Sequence, residues 1–256
     1  MYRVDLNADL GEGYGIYRLC NDEEILKCVS SANIACGFHA GDPYIMDDSL
    51  GLALKHGVSI GAHTGYDDRQ GFGRREIPMS LSEIRCLVIY QIGALIGLAK
   101  SRGLSLSHVK PHGALYNLAA RDSLVAKTIC EAAASVDSSL ILLGLAKSEM
   151  ATSAQKLGVR FAHEVFADRA YDDDGTLVSR SREGALIHDK NEVLRRVDKM
   201  IKAKKITSIN GKEIEIQADS ICVHGDTKEA LDFVVALRES LESKGVVISS
   251  LDSFIA

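Results

Sequence analysis

Short apolar runs of strand length recur along the chain, and most are followed by a turn and then by a stretch with helical periodicity. This alternation is typical of repeated βα units around a parallel sheet. Seven or eight such units in 256 residues predict a TIM-like (β/α)7 or (β/α)8 barrel, in a single domain that spans residues 1–256. The predicted strands are Val4–Ala8, Ala32–Cys36, Val58–Ala62, His108–Lys110, Leu140–Leu143, Val159–Glu164 and Ile221–His224, with a candidate eighth at Val246–Ile248.

One segment departs from the βα alternation. Asn210 and Gly211 stand between two runs in which apolar and polar residues alternate. An Asn-Gly pair in that setting is a strong signal for a two-residue β-hairpin turn. The sequence therefore predicts a small hairpin insertion at about residues 206–217.

Charge and hydropathy narrow the class of partner. The formal net charge is −5, which argues against nucleic acid or an anionic membrane as partner and favours a small-molecule substrate. No signal peptide is recognisable ahead of Tyr2, so a cytoplasmic location is expected. The longest apolar stretch, Cys86–Ala99, is interrupted by Gln91 and is shorter than the roughly 20 residues needed to cross a bilayer. We therefore expect a buried helix there.

Polar residues gather at the carboxyl ends of the predicted strands, where the loops of parallel βα folds build active sites. Side chains of one parity along a strand share one face, and apolar residues such as Leu6 and Ile60 occupy the positions that face the helices. The opposite parity faces the barrel interior. An interior this polar is best explained if it surrounds a ligand, because each unpaired buried polar group costs roughly 1–3 kcal/mol. The inward set is Asp5, Asn7, Asp9, Asn33, His39, His63, Lys110, His112 and His224.

Structural roles compete with functional ones for several of these residues. His56 and His188 are expected at the surface, while His108 and His163 could be either structural or functional. Asp226 could cap a helix as well as serve a site. Lys110 could balance a buried carboxylate, but its place just before Pro111 and His112 favours stabilisation of an anionic intermediate.

Two glycine clusters could present backbone N–H groups to a phosphate or a carboxylate. Residues 11–15 follow the first strand, and residues 71–75 carry the adjacent charges of Arg74 and Arg75. Neither cluster matches the GxxxxGK[ST] motif of a P-loop, and the motif occurs nowhere in the chain. If ATP is used, its site is of another kind or lies on a partner.

Taken together, these segments resemble the LamB/YcsF family over nearly the whole chain. The sequence departs from the family pattern at Thr64 and Gly65, where members typically have Pro-Ser. The resemblance is carried by Asp5–Glu12, Ser31–Pro43, Gln70–Arg75, His108–Asn117, Glu164–Tyr171 and Ser220–Asp226.

The resemblance implies a barrel of the deacetylase-like superfamily and one component of an ATP-dependent 5-oxoprolinase. Such an enzyme opens the 5-oxoproline lactam to L-glutamate and hydrolyses ATP to ADP and phosphate, in a complex with two further subunits, B and C. ATP, with Mg²⁺, is the implied cofactor, bound either to this chain or to a partner subunit.

Candidate roles follow from this chemistry. His39 and His112 are the preferred general bases, with Asp9, Asp168 and His224 orienting them or the substrate, while Lys110 stabilises developing charge. Either Arg74 or Arg75 is suited to the substrate carboxylate, and Arg169 to the anionic intermediate. The full catalytic set is Asp9, His39, Lys110, His112, Asp168 and His224, and the substrate- or phosphate-binding set is Asn7, Glu12, Gly37, His63, Arg74, Arg75, Arg169 and Asp226.

Two other functions stay open on the sequence. Asp9, His39, His63 and His112 could assemble a divalent-metal site, as in a metal-dependent amide or sugar hydrolase or a deacetylase, although no HxxH or HExxH spacing is present. The chain could also be a binding subunit that delivers substrate to its partners without catalysing a step.

Overall fold

Seven parallel strands close into a barrel. The structure is a computed structural model that describes residues 2–17, 19, 21–223 and 228–256, with side chains in the last range from residue 231. The strands are β1 (Arg3–Leu10), β2 (Ser31–Ala35), β3 (Ser59–Thr64), β4 (His108–Pro111), β5 (Ile141–Leu145), β6 (Phe161–Phe166), β7 (Lys205–Thr207), β8 (Glu213–Glu215), β9 (Ser220–Val223) and β10 (Val247–Ile248).

The order around the barrel is β1-β2-β3-β4-β5-β6-β9, and β9 pairs with β1 to close it. The closing register places Asp5 opposite Ser220 and Ala8 opposite Val223. The prediction of a TIM-like barrel is confirmed, with seven strands in the ring. The candidate eighth strand, β10, pairs only with Arg3 and Val4, before the part of β1 that contacts β9.

The hairpin insertion is also confirmed. β7 and β8 are antiparallel, with Lys205 opposite Glu215 and Thr207 opposite Glu213. The Ser208 N–H donates to the Lys212 carbonyl across the turn, and Gly211 has a φ of +88°, which a glycine adopts readily.

Helices surround the barrel, and side-chain caps fix where several of them begin. Asp42 accepts hydrogen bonds from the N–H groups of Tyr44 and Ile45, while Ser80 and Glu83 form a reciprocal capping box. The helices are α1 (Asp22–Leu26), α2 (Pro43–His56), α3 (Leu81–Ser101), α4 (Gly113–Arg121), α5 (Ser123–Val136), α6 (Glu149–Leu157), α7 (Lys190–Lys202) and α8 (Lys228–Ser243).

Helix α3 is the one helix of the described residues that is long and apolar enough to cross a membrane, judged by length and composition. It packs against α2, α5 and β3, as a helix of the barrel's outer layer does. The prediction of a buried helix over Cys86–Ala99 is right for one face only, because Tyr90 is 63% exposed on the other. Gln91 lies on the buried face and its amide is bonded to both backbone groups of Gly65.

The alternation of side chains along the strands divides the barrel into an apolar outer layer and a polar interior. Val4, Leu6 and Ala8 of β1 pack in the hydrophobic core. Asp5 and Asn7, of the opposite parity, are also fully buried, but inside the barrel. Asp5 accepts hydrogen bonds from the hydroxyls of three serines, Ser30, Ser31 and Ser220, at 2.5–2.7 Å.

Asp5 gives the folded protein a pH-dependent stability. Burial raises the pKa of its carboxyl from 3.8 to about 6, with a smaller contribution from the charge of Glu164, and the serine hydroxyls oppose the rise. The proton on Asp5 therefore stabilises the fold fully below about pH 4, and this stability is lost as the pH rises through about 6. Two pKa units correspond to roughly 3 kcal/mol.

We therefore expect Asp5→Asn to gain stability relative to the wild type as the pH rises from 4 to 7, by up to about 3 kcal/mol. Urea unfolding at a series of pH values measures this difference. Asp232→Asn, at an exposed site on α8, is the matched control and should give a curve parallel to the wild type. If the Asp5→Asn curve is parallel as well, Asp5 does not have the raised pKa described here.

Candidate functional site

A buried ammonium group lies at the centre of the barrel interior. Lys110 Nζ, on β4, is 2.8 Å from Asp9 Oδ1 on β1 and 2.8 Å from Glu164 Oε1 on β6. Burial alone lowers the pKa of a lysine, but the charges of Asp9 and Glu164 outweigh it and hold the pKa of Lys110 well above its usual value. Lys110 therefore carries its positive charge inside the barrel.

Below this ion-pair network lies a hydrogen-bonded layer of neutral groups. Asn33 Nδ2 donates to Asn7 Oδ1 at 2.7 Å and to Asp9 Oδ1 at 2.8 Å. His108 Nε2 is 2.7 Å from Asn33 Oδ1. Burial, and next the charge of Lys110, lower the pKa of His108 to about 3, so its ring is neutral and donates from Nε2. Because its ring is held by these contacts inside the barrel, the role of His108 is structural.

Above the ammonium group, three histidines meet at the carboxyl ends of neighbouring strands. His39 lies in the turn after β2, His63 near the end of β3, and His112 directly after β4. The rings of His39 and His112 are stacked with centroids 3.8 Å apart, and His63 meets both rings edge-on. All three side chains are buried.

Backbone carbonyls fix the tautomers of two of these rings. His63 Nδ1 is 2.9 Å from the Lys110 carbonyl oxygen, and His112 Nε2 is 2.8 Å from the Phe72 carbonyl oxygen. A carbonyl oxygen only accepts, so those two nitrogens carry the hydrogens. In the neutral rings the lone pairs are therefore at His63 Nε2 and His112 Nδ1, and these atoms are 2.9 Å apart.

Two carboxylates face the same point. Asp9 Oδ2 is 3.3 Å from His63 Nε2, while Glu12 Oε1 is 3.3 Å from His39 Nε2 and 3.6 Å from His112 Nδ1. Within 4.8 Å of one another lie ligand-type atoms of four residues, which we call the histidine–glutamate cluster: Glu12, His39, His63 and His112.

The ionisation of the site follows from burial and neighbouring charge. Burial tends to raise the pKa of Asp9, but His63 and Lys110 outweigh it and hold the pKa well below the usual value, so Asp9 is a carboxylate. Burial, and next His63, lower the pKa of His39 well below its usual value. Burial also lowers the pKa of His112, and its neighbours His39 and then His63 disfavour a proton on it further. The stacked pair is therefore neutral at pH 7.

A glycine loop covers the stacked rings. Gly73 has a φ of +62°, and a Cβ atom there would lie 2.7 Å from His39 Cβ and 2.8 Å from His112 Cδ2. Only a residue without a side chain fits this approach. The Gly73 carbonyl accepts a hydrogen bond from the Ala114 N–H, which ties the loop to the start of α4.

The two glycine clusters do not present their N–H groups to a ligand in the way that the sequence suggested. Gly71 N–H donates to Asp68 Oδ1 and Gly73 N–H to the Asp68 carbonyl. In the first cluster, the N–H groups of Gly11 and Gly15 are bonded to the carboxylates of Asp22 and Asp42. These donors are used within the chain, by Asp68 just before the second cluster and by two acids of other segments for the first.

The predicted arginines are engaged outside the histidine–glutamate cluster. Arg75 forms an ion pair with the buried Asp68, so Arg75 is tied to the loop that covers the rings. Arg74 is exposed and lies over Phe72, with Cζ 5.1 Å from the ring centroid. Arg169 is buried and donates to the Val178 carbonyl at 2.7 Å.

The structure places the other predicted residues as follows. Gly37 uses its N–H in a bond to the Ala40 carbonyl, and its own carbonyl accepts from Arg69, so its backbone groups serve the turn that carries His39. Asn7 is bonded to Asn33, Lys110 and Ser220 deep in the barrel. Asp168 is half-buried just after β6. His224 and Asp226 lie outside the described residues.

Sequence reasoning assigned no role to Glu164, which belongs to the ion-pair network, or to Tyr116, which contacts it. Glu164 Oε2 accepts a hydrogen bond from Tyr116 Oη at 2.7 Å, and its other oxygen binds Lys110. Glu164 is the last residue of a strand predicted from the sequence, so the parity rule applied to β6 could have identified it. Tyr116 had no comparable signal, because it lies on α4.

The buried ammonium group yields a stability prediction. Lys110→Met leaves Asp9 and Glu164 facing each other without a cation, and breaking a buried ion pair in this way typically costs about 3–5 kcal/mol. Lys127→Met, which removes an exposed lysine 3.7 Å from Glu131, is the matched control and should cost less than about 1 kcal/mol.

Urea unfolding measures both variants. Adding Glu164→Gln to Lys110→Met removes one of the two unpaired carboxylates, so the double variant should recover part of the loss. Equal stability of Lys110→Met and Lys127→Met would show that the ammonium group does not hold the interior together.

Comparison with known proteins supports a full-length relationship. The LamB/YcsF family model matches residues 4–256. The A subunit of 5-oxoprolinase from Campylobacter jejuni subsp. jejuni strain 81-176 is 57% identical over 255 residues, with all of both chains covered. The protein of the same name from Thermococcus sibiricus is 49% identical over 253 residues and 99% of each chain.

Solved structures agree with this relationship. The lactam utilization protein from Thermus thermophilus superimposes with a TM-score of 0.92 at 43% identity, covering 97% of this chain and 100% of that one. A deacetylase, T48, matches with a TM-score of 0.50 at 14% identity over 98% of this chain and 89% of its own, which is a likeness of fold alone and agrees with the predicted deacetylase-like barrel. The chain belongs to the LamB/YcsF family.

Proposed function

We propose that this chain is one component of an ATP-dependent 5-oxoprolinase and opens the 5-oxoproline lactam to L-glutamate, with hydrolysis of ATP to ADP and phosphate. The observation that carries the proposal is the group of three buried histidines and two carboxylates at the carboxyl ends of the barrel strands. The names of the full-length relatives support the same substrate.

The reaction needs both activation of the carbonyl and attack by water. A five-membered lactam is a stabilised amide, and phosphorylation of its carbonyl oxygen makes the carbonyl carbon electrophilic. Water then adds to that carbon, the bond from carbon to the ring nitrogen breaks, and the nitrogen takes a proton to become the amino group of glutamate. This leaves an acyl phosphate, and a second water displaces phosphate from it, which completes the carboxyl group of glutamate.

The histidine cluster is suited to the water step. His39 and His112 are neutral and stacked, so either ring has a lone pair that can take a proton from water. Glu12, beside both rings, is suited to orient them or to stabilise the imidazolium that forms. Asp9 plays the same part for His63, and its own position is fixed by Lys110.

Arginines at the rim are suited to the anionic parts of the substrate. Arg74 is exposed beside Phe72, whose ring meets His112 edge-on with centroids 5.3 Å apart, so we assign the substrate carboxylate to Arg74. Arg75 is held by Asp68, which makes it the weaker candidate. Arg169 and Asp168, after β6, remain candidates for the phosphorylated intermediate.

The assembly follows from the same chemistry. The chain contains no P-loop, so we propose that ATP, with Mg²⁺, binds at a site of another kind on this chain or on one of two partner subunits, B and C. The relatives are named as one lettered component of 5-oxoprolinase, which supports an assembly of several chains. A cytoplasmic location fits an enzyme that consumes ATP.

A metal-dependent amide or sugar hydrolase on the same barrel is the alternative function. It differs in one measurable respect, because it needs no ATP. An ion at the histidines is compatible with either reaction, so the requirement for ATP decides between them.

Reconstitution tests the proposed function. Glutamate formation from 5-oxoproline and ATP is measured with this chain alone, with the partner subunits alone, and with all chains together. We expect glutamate in the complete mixture and none when ATP is omitted. Absence of product from the complete mixture would contradict the proposal.

Variants in the complete mixture test the cluster. His39→Ala and His112→Ala remove a proton acceptor, and loss of a general base typically lowers the rate about 10²–10⁴-fold. His56→Ala, at the end of α2, is the matched control and should keep the wild-type rate. Full activity of both cluster variants would instead favour a binding subunit without a catalytic role.

A further inference from the structure

The atoms that meet in the histidine–glutamate cluster are arranged as metal ligands. We propose that Glu12, His39, His63 and His112 together bind one divalent first-row transition metal ion of the zinc class. This inference goes beyond the proposed function, because it concerns the binding of an ion. While the ion is bound it occupies the lone pairs of His39 Nε2 and His112 Nδ1, so the proton of the attacking water would then go to another group.

The spacing of the atoms is the first argument. Ligand atoms about 2.0–2.2 Å from one ion are roughly 2.8–3.6 Å apart at adjacent octahedral or tetrahedral positions. Here His63 Nε2 and His112 Nδ1 are 2.9 Å apart. Glu12 Oε1 is 3.6 Å from His112 Nδ1 and 3.3 Å from His39 Nε2. Each of these contacts therefore has the length expected between neighbouring ligands of a single ion.

The fixed tautomers are the second argument. The lone pairs of His63 Nε2 and His112 Nδ1 point at each other across 2.9 Å, because the opposite nitrogen of each ring donates to a backbone carbonyl. Two lone pairs at this distance repel unless a proton or a metal ion lies between them, so the two nitrogens are placed to share a cation. A histidine that ligates a metal characteristically donates its other N–H to a carbonyl or a carboxylate, as both rings do here.

His39 adds an independent observation. Its side chain is fully buried, and Nδ1 has no hydrogen-bond partner among the residues that the structure describes. The ring is held by stacking on His112 and by the contact of Nε2 with Glu12. With the hydrogen on Nδ1, the ring presents the lone pair of Nε2 to the same point as the other two histidines.

The donor set selects the class of ion. Three imidazoles and one carboxylate suit Zn²⁺, Co²⁺, Ni²⁺ or Fe²⁺, whereas Mg²⁺ and Ca²⁺ prefer oxygen ligands throughout. The set is also distinct from the one that the sequence suggested. Asp9 Oδ1 is bound to Lys110, and Glu12 supplies the carboxylate beside His39 and His112 in its place.

Direct binding tests the site without any turnover. The protein is stripped with a chelator and titrated with Zn²⁺ by calorimetry, with Co²⁺ as a spectroscopic probe whose visible absorption reports its ligands. A Cys86→Ser background removes an exposed thiol that could bind zinc adventitiously. We expect one equivalent of Zn²⁺ or Co²⁺ to bind and Mg²⁺ not to compete.

Variants locate the ion. Glu12→Gln and His63→Gln each remove one ligand, and each should weaken Zn²⁺ binding by more than the 10–100-fold that is typical of an outer-shell change. His56→Gln is the matched control and should bind like the wild type. Glu12 is only partly buried, so its variant is expected to fold, and circular dichroism checks this for both.

Two results would overturn the proposal. One is the absence of saturable Zn²⁺ and Co²⁺ binding by the folded, stripped wild type. The other is one-equivalent binding that Glu12→Gln and His63→Gln leave unchanged, since the ion would then lie elsewhere. Neither result bears on whether the reconstituted complex forms glutamate, so the metal site and the proposed reaction can fail separately.

Discussion

The stability of the barrel interior depends on the ion pairs that the buried ammonium group of Lys110 forms with Asp9 and Glu164. The ammonium group joins carboxylates that come from β1 and β6, on either side of β4 around the ring. A single carboxylate inside a barrel loses far more solvation than a hydrogen bond returns, and two without a cation also repel each other. The charge of Lys110 offsets both the lost solvation and the repulsion, so the buried carboxylates are stable only together with the lysine.

The same contact separates the roles of the two acids nearest the histidines. Asp9 is shared between Lys110 and His63, and it therefore works as a fixed negative charge that orients a ring. Glu12 lies after β1 and beside the stacked pair of His39 and His112. Asp9 and Glu12 both carry carboxyl groups, but they have different roles because Asp9 is bound to the ammonium group of Lys110 and Glu12 lies beside the stacked histidines.

Strand periodicity explains how much of this could be predicted. Inward parity identified Asp9, His63 and Lys110 correctly, because side chains alternate strictly within a strand. The contact of Glu12 with His39 involves residues beyond the ends of their strands, where no periodicity operates. The pairing of Arg75 with Asp68 depends on how residues 68–75 fold over the rings, which is set by Gly73 and by tertiary contacts. The bond from Tyr116 to Glu164 joins a helix to a strand, so only the fold itself shows it.

Closure of the ring by β9 has a consequence for how the chain reaches its final state during synthesis. Asp5 bonds to Ser220, a partner 215 positions later in the sequence. A ribosome adds about 5–20 residues per second, so the first strand waits at least ten seconds or so for the last strand of the ring to be made. Until then the inward polar groups face water, which solvates them at no cost, whereas an apolar interior would be exposed to other chains during the same interval. The polar interior that later serves the site therefore also makes the unfinished barrel less prone to aggregate.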